Sequence, residues 1–170
     1  LSHAIHKHMQ KILIVLASLL LVGCSTFSKY SAVEYNNAVA EKVNATTSNI
    51  KEIHELYVSG IPVSITEESE IDTAEMTQAF LLREDRTSEI EKLSKLESKD
   101  PEQEAAVEEK LTEYIEAVNE YYATYEEILS YYKDGGYKED PTQVKPLDEI
   151  LSHKYNEFTD INNEMSDTLE

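Results

Sequence analysis

The chain has 170 residues, 34 of them acidic and 15 basic, a net charge of −19 and a single cysteine. So acidic a body is repelled by phosphate backbones and anionic head groups, which argues against nucleic acid as a partner. One cysteine forbids an intramolecular disulfide. With four glycines, four prolines, no tryptophan and long stretches of Glu, Lys, Leu and Ala, the composition favours helices.

From Met9 the chain reads as a secretion signal, and the eight residues before it read as an overextended gene start. Lys11 supplies positive charge and Ile12 to Val22 forms an almost unbroken apolar run of eleven residues. A spanning helix needs roughly 17–25 residues, so the run fits the apolar core of a signal peptide instead. Leu21-Val22-Gly23-Cys24 resembles the lipobox of bacterial lipoproteins. That resemblance implies cleavage between Gly23 and Cys24 and attachment of diacylglycerol to the Cys24 thiol, with small Gly23 letting the peptidase approach. Two acyl chains hold a protein stably on a membrane where one holds it marginally. The implied location is the cell membrane or outer membrane, facing away from the cytoplasm, and Ser25 resembles outer-membrane sorting where two membranes exist.

The segment before Cys24 contains Lys7 and Lys11 and no acid, so its removal leaves 13 basic against 34 acidic side chains, a charge of −21. The remaining 147 residues suffice for one domain. The expected division is a signal peptide over 1–23, a lipid-anchored tether over 24–30 and a helical domain over 31–170.

Four helices are expected in that domain. The first runs from about Tyr30 to Tyr57, with Val39, Val43, Thr46, Ile50, Ile53 and Tyr57 on one face, and Gly60-Ile61-Pro62 ends it. Ser64-Ile65-Thr66-Glu67 reads as a capping box opening a second helix over about 66–98. Its apolar stripe is ragged and is interrupted by Arg83-Glu84-Asp85-Arg86. Asp100-Pro101 marks the start of the third helix, which shows a broad apolar face from Val107 to Tyr132 and ends at Gly135-Gly136. Pro141 and Pro146 bracket a loop before the fourth, where Leu147, Leu151, Tyr155, Phe158, Ile161 and Met165 recur at three and four. Amphipathic helices must bury their dry faces together, so the expected fold class is all-α, an antiparallel bundle of about four helices.

Two stretches carry a family resemblance. Residues Lys29-Tyr30-Ser31-Ala32-Val33-Glu34-Tyr35-Asn36 are similar to the opening of YiiG-like bacterial lipoproteins. Tyr131-Tyr132-Lys133-Asp134-Gly135-Gly136-Tyr137-Lys138-Glu139-Asp140 resembles their paired tyrosines followed by a Tyr-Lys-acid turn. The resemblance implies a helical, lipid-anchored envelope protein and brings no catalytic residue with it.

Tyrosine is the unusual residue, eleven in all and seven of them from Tyr114 to Tyr137. Helical spacing explains Tyr114, Tyr122, Tyr125 and Tyr132 as core. Tyr121 and Tyr131 fall to the side of that stripe and are the candidates for an aromatic ligand groove. Glu149, His153 and Glu157 share a helix face, yet Lys51 and Ile150 stand where a di-metal site wants glutamate before His54 and His153. They read as a solvated charge cluster, and no metal ligand or cofactor is assigned. The acid-rich runs at Glu67–Asp72 and Asp134–Asp140 lack the pattern of a calcium loop and read as a helix start and a turn. No Gly-x-Ser-x-Gly and no phosphate loop is present. The function expected is a non-enzymatic envelope lipoprotein acting as a protein-interaction or structural module, touching the membrane through Cys24 and an envelope protein through its surface. The alternative is a small-ligand or metal binder using a cleft between helices.

Overall fold

The computed structural model describes residues 29–62 and 64–170. Gly23, Cys24 and the signal and tether segments up to residue 28 lie outside the described residues.

Helix α1 spans Ala32–Gly60. Ser31 opens it with a complete capping box: its Oγ accepts from the Glu34 N–H at 3.3 Å while the Glu34 carboxylate accepts from the Ser31 N–H at 2.9 Å. All six residues of the expected face are buried, joined by Tyr35, Thr47 and Asn49.

The single second helix expected over 66–98 is not formed. Residues 66–69 make a turn, in which the Thr66 N–H donates to Ser69 Oγ at 2.9 Å, and no capping box opens at Ser64. Glu67, Glu68, Glu70 and Asp72 repel one another and leave only Ile65 and Ile71 to pack on the core. Two short helices follow, α2 over Ala74–Phe80 and α3 over Arg83–Glu91, with a 3-10 turn at Lys92–Lys95. The interruption lies at Leu81 and Leu82, which are 65% and 42% exposed. It accounts for the ragged stripe, because a straight helix would keep Ile90 near the side buried by Met76 and Phe80 but turn Leu93 about 100° or more away from it. The break returns all four to the core.

Helix α4, Pro101–Lys133, has the bounds expected. Asp100 accepts from the N–H groups of Glu102 and Gln103 at 3.1 and 3.2 Å, with Pro101 in the first turn. Gly135 turns the chain at φ 75°, a backbone conformation that costs a side-chain-bearing residue. Gly136 must also be small, since a Cβ there would stand 2.5 Å from the Tyr131 ring. The one-turn helix α5, Gly136–Glu139, and a 3-10 turn at Pro141–Gln143 lead into α6, Val144–Leu169. Pro146 therefore sits inside the first turn of α6 rather than before it, where its missing N–H has no partner to lose. Leu151, Phe158 and Met165 are the buried seam of α6.

Long-range contacts set the directions. Gln103 at the start of α4 donates to the Asn36 side chain at the start of α1 and to the Thr168 carbonyl at the end of α6, both at 3.2 Å. Asn49 in α1 donates to the carbonyl of Ala79 in α2, and Lys42 pairs with Glu89 in α3. The molecule is thus an all-α antiparallel bundle, up-down-up-down, with α2 and α3 together forming the second rod. In that order α1 and α4 run parallel across its diagonal. One isolated bridge, between Tyr30 and Ser98, pins the incoming chain beside the start of α4. The chain enters at that end, and the 61–73 and 134–143 connections lie at the other.

Candidate functional site

The tyrosines of α4 span the diagonal of the bundle, and their hydroxyls fall into two groups. In the middle every hydroxyl is engaged. Tyr114 donates to the Val43 carbonyl at 3.0 Å and lies 2.8 Å from Thr47 Oγ1, which donates to Asn162 at 2.6 Å. Tyr122 donates to Asn49 Oδ1 at 2.8 Å. The Tyr121 hydroxyl is 3.2 Å from His54 Nδ1, and the His54 ring stacks on Tyr155 with centroids 3.6 Å apart. These contacts give buried phenols the partners that their desolvation demands.

Tyr121, a side-of-stripe groove candidate, is 0% exposed and belongs to this core rather than to a groove. Both α1 and α6 press on α4 there, so a position beside the main stripe is covered as fully as one within it. Tyr131 lies in a different setting, half-buried along an open hollow of about 560 Å³ with Glu126, Glu127, Gln143 and Leu147. Its hydroxyl donates to the Asp140 carbonyl at 2.6 Å, so it is committed to holding the turn into α6. The structure does not bring the two together.

Beyond the middle layer, toward the end opposite the chain entry, the pattern changes. Tyr57, Tyr125 and Tyr132 are 2%, 1% and 3% exposed, and none of their hydroxyls has a hydrogen-bond partner. The Tyr57 ring packs 6.3 Å from that of Tyr125 and 6.2 Å from that of Tyr132. A cleft of about 440 Å³ opens between the end of α1 and the start of α6, with Tyr57, Ile61, Pro62, Val144, Asp148 and Ser152 among its walls. Lys145 stands at its rim, 84% exposed and 3.7 Å from Glu149.

Burial pushes the phenols of Tyr57, Tyr125 and Tyr132 well above the usual tyrosine range. For Tyr57 the neighbouring Tyr132 and the Asp148 carboxylate add to that push. Each hydroxyl is therefore un-ionised at neutral pH, able to donate one hydrogen bond and accept others but poor as a nucleophile.

His54 borders the same region, and burial lowers its pKa despite the opposing pull of Asp148 and Glu55. His153 lies on the outside of α6, 3.4 Å from Glu157, in the solvated cluster expected of it. Among the described residues, no three His, Cys, Asp or Glu side chains gather in a way that could hold a metal ion. No described helix is long and apolar enough to cross a membrane.

The spacing identified Tyr57 and Tyr132 as core residues and missed what they share. A tyrosine at the last turn of a buried face was the available signal, and the register of α1 against α6 was the missing part. The chain matches no protein-family model, and no curated protein or solved structure matches it.

Proposed function

We propose that the chain is a lipid-anchored bacterial envelope protein that acts by binding rather than by catalysis. The lipobox-like Leu21-Val22-Gly23-Cys24 and the resemblance to YiiG-like lipoproteins support the anchor. Gly23 and Cys24 then mark the processing site, and the domain stands off the membrane on a tether that enters beside Tyr30. Tyr57 lies roughly 40 Å along α1 from that entry, at 1.5 Å per residue. The cleft is accordingly carried at the end away from the anchor, facing whatever diffuses through the envelope.

The carrying observation is the cleft itself, with the deeply buried, unpartnered hydroxyl of Tyr57 in its wall. A buried polar group without a partner costs roughly 1–3 kcal/mol, and a ligand that supplies the partner recovers that cost on binding. This favours a small-ligand binder over a module working only through its outer surface. A protein partner at the envelope remains the reading for the acidic exterior.

Two measurements test the proposal. Fatty-acid labelling of the wild type and its loss in Cys24→Ala are expected, and labelling that persists in the variant overturns the anchor. The melting temperature of the full chain is expected to rise with at least one member of a panel of small organic compounds. A flat response across amines, alcohols and acids overturns the binding role.

A further inference from the structure

The cleft between the end of α1 and the start of α6 has a polar floor, apolar walls and one carboxylate, and that arrangement selects a ligand class. Resting on the binding role proposed above, we propose that it takes a small organic cation, an ammonium group on a compact apolar or aromatic body. Tyr57 is the deepest polar group lining it, and its hydroxyl makes no hydrogen bond within the protein. Tyr132 stands behind it with its hydroxyl equally free. An ammonium carries three N–H donors and no acceptor, whereas un-ionised phenols and a carboxylate all offer lone pairs. Tyr57 accepts one of those hydrogens and Asp148 takes another, in a charge-assisted hydrogen bond.

The walls fit the rest of such a molecule. Ile61, Pro62 and Val144 face the cleft with no polar side-chain group to satisfy, and so receive an apolar body. About 440 Å³ lies within the range of small-molecule sites, roughly 300–1,000 Å³. The electron-rich ring of Tyr57, the aromatic residue in the wall, adds cation–π attraction. The charge of the whole molecule acts in the same direction: a body at −19 concentrates cations and repels anions. Lys145 is the one basic group at the rim, and its pairing with Glu149 and its high exposure draw it outward. A carboxylate ligand meets the opposite situation, with Asp148 against it at close range.

The test uses the full chain in uncharged detergent, with tyrosine rings isotopically labelled for NMR. The probes are phenethylammonium, its neutral isostere 2-phenylethanol and the acid 3-phenylpropionate. Phenethylammonium is expected to shift the Tyr57 and Tyr132 signals and to bind about tenfold more tightly than the alcohol. Asp148→Asn is expected to abolish that preference while leaving alcohol binding unchanged. Tyr57→Phe, which keeps the ring and the packing, is expected to weaken both. Equal binding of ammonium and alcohol, or tighter binding of the acid, overturns the cation assignment while the cleft remains a binding site. If no probe moves Tyr57 or Tyr132, both the cation and the cleft are overturned. If Asp148→Asn keeps the ammonium preference, the carboxylate has no part in recognition and the inference falls.

Discussion

The middle of α4 and its final turns use the same amino acid in opposite ways. Tyr114, Tyr121 and Tyr122 each end on a partner across the bundle, at Val43 and Thr47, at His54 and at Asn49. Tyr125 and Tyr132, one and three turns further on, are as deeply buried, and their hydroxyls end on nothing. Tyr35 near the chain entry is also unpartnered, but it stands alone, whereas Tyr57, Tyr125 and Tyr132 pack against one another. A long side chain with a polar end can bridge a diagonal that Leu or Phe would leave without hydrogen bonds. Where the bridge is completed, tyrosine is a cross-link. Where it is left open, the same residue keeps a free buried hydroxyl, the feature on which the proposed binding role rests.

The largest way to break the contrast is alkali, which acts on both groups. Burial raises the phenols of the middle and distal layers, and that of Tyr35 to about 12, from an ordinary value of 10.0. Folded phenols thus hold protons that the unfolded chain releases. Their stabilising effect is complete below about pH 10 and is lost as pH rises from 10 toward 12. Tyrosinate absorbance and helical ellipticity are expected to change together in one steep transition. Titration near 10 of the fully buried tyrosines, Tyr35, Tyr114 and Tyr121 among them, with the helices intact would refute the burial.

Truncation comes next. Tyr121→Ala removes a fully buried ring wedged between Tyr125, Tyr155 and Phe158, and a loss of about 3–5 kcal/mol is expected in denaturant titration. A loss below about 1 kcal/mol would return Tyr121 to a solvent-facing groove. Tyr114→Phe deletes only a hydroxyl, but one that bonds Val43 and meets Thr47. A cost of about 1 kcal/mol is expected.

The histidine effect is smaller and depends on pH. Burial lowers the His54 pKa, so below its ordinary value of 6.5 the unfolded chain binds a proton that the folded one resists. Stability is present above about 6.5 and falls as pH drops through the folded value. His54→Phe, which retains a ring against Tyr155, is expected to remove this component. The difference in melting temperature between variant and wild type should therefore grow in the variant's favour from pH 7 toward pH 5. A pH-independent difference contradicts it. The smallest change belongs to the distal layer: Tyr132→Phe removes a hydroxyl with nothing to lose, and stability is expected to stay within about 0.5 kcal/mol or to rise. A loss matching that of Tyr114→Phe would erase the distinction between the two layers.

How much of this was legible in the chain depends on how local the cause was. Asp100-Pro101 and Gly135-Gly136 act on the backbone beside them, so the start of α4 was readable to the residue and its end to within a residue or two. The stripe from Val39 to Tyr57 was readable because a helix that buries one face needs only its own period. The break at Leu81 and Leu82 was not readable, since two leucines in a helical run carry no stop signal, and the packing of Phe80 against Tyr122 and Tyr125 on one side and of Ile90 on the other turns them outward. Tyr121 misled. Its place beside the stripe is an edge on one helix and an interior position once α1 and α6 close over it.

Patterning along the chain therefore decided the all-α class, the bundle and the limits of its best-capped helices, because apolar period, caps and glycines operate within a few residues of their own position. The tertiary structure decided which tyrosines find partners. Whether a hydroxyl meets Val43, His54 or an open cleft depends on the register of α4 and α6 against α1. That register is set by contacts between residues more than sixty positions apart, among them Asn36 with Gln103 and Thr47 with Asn162, which no local pattern encodes.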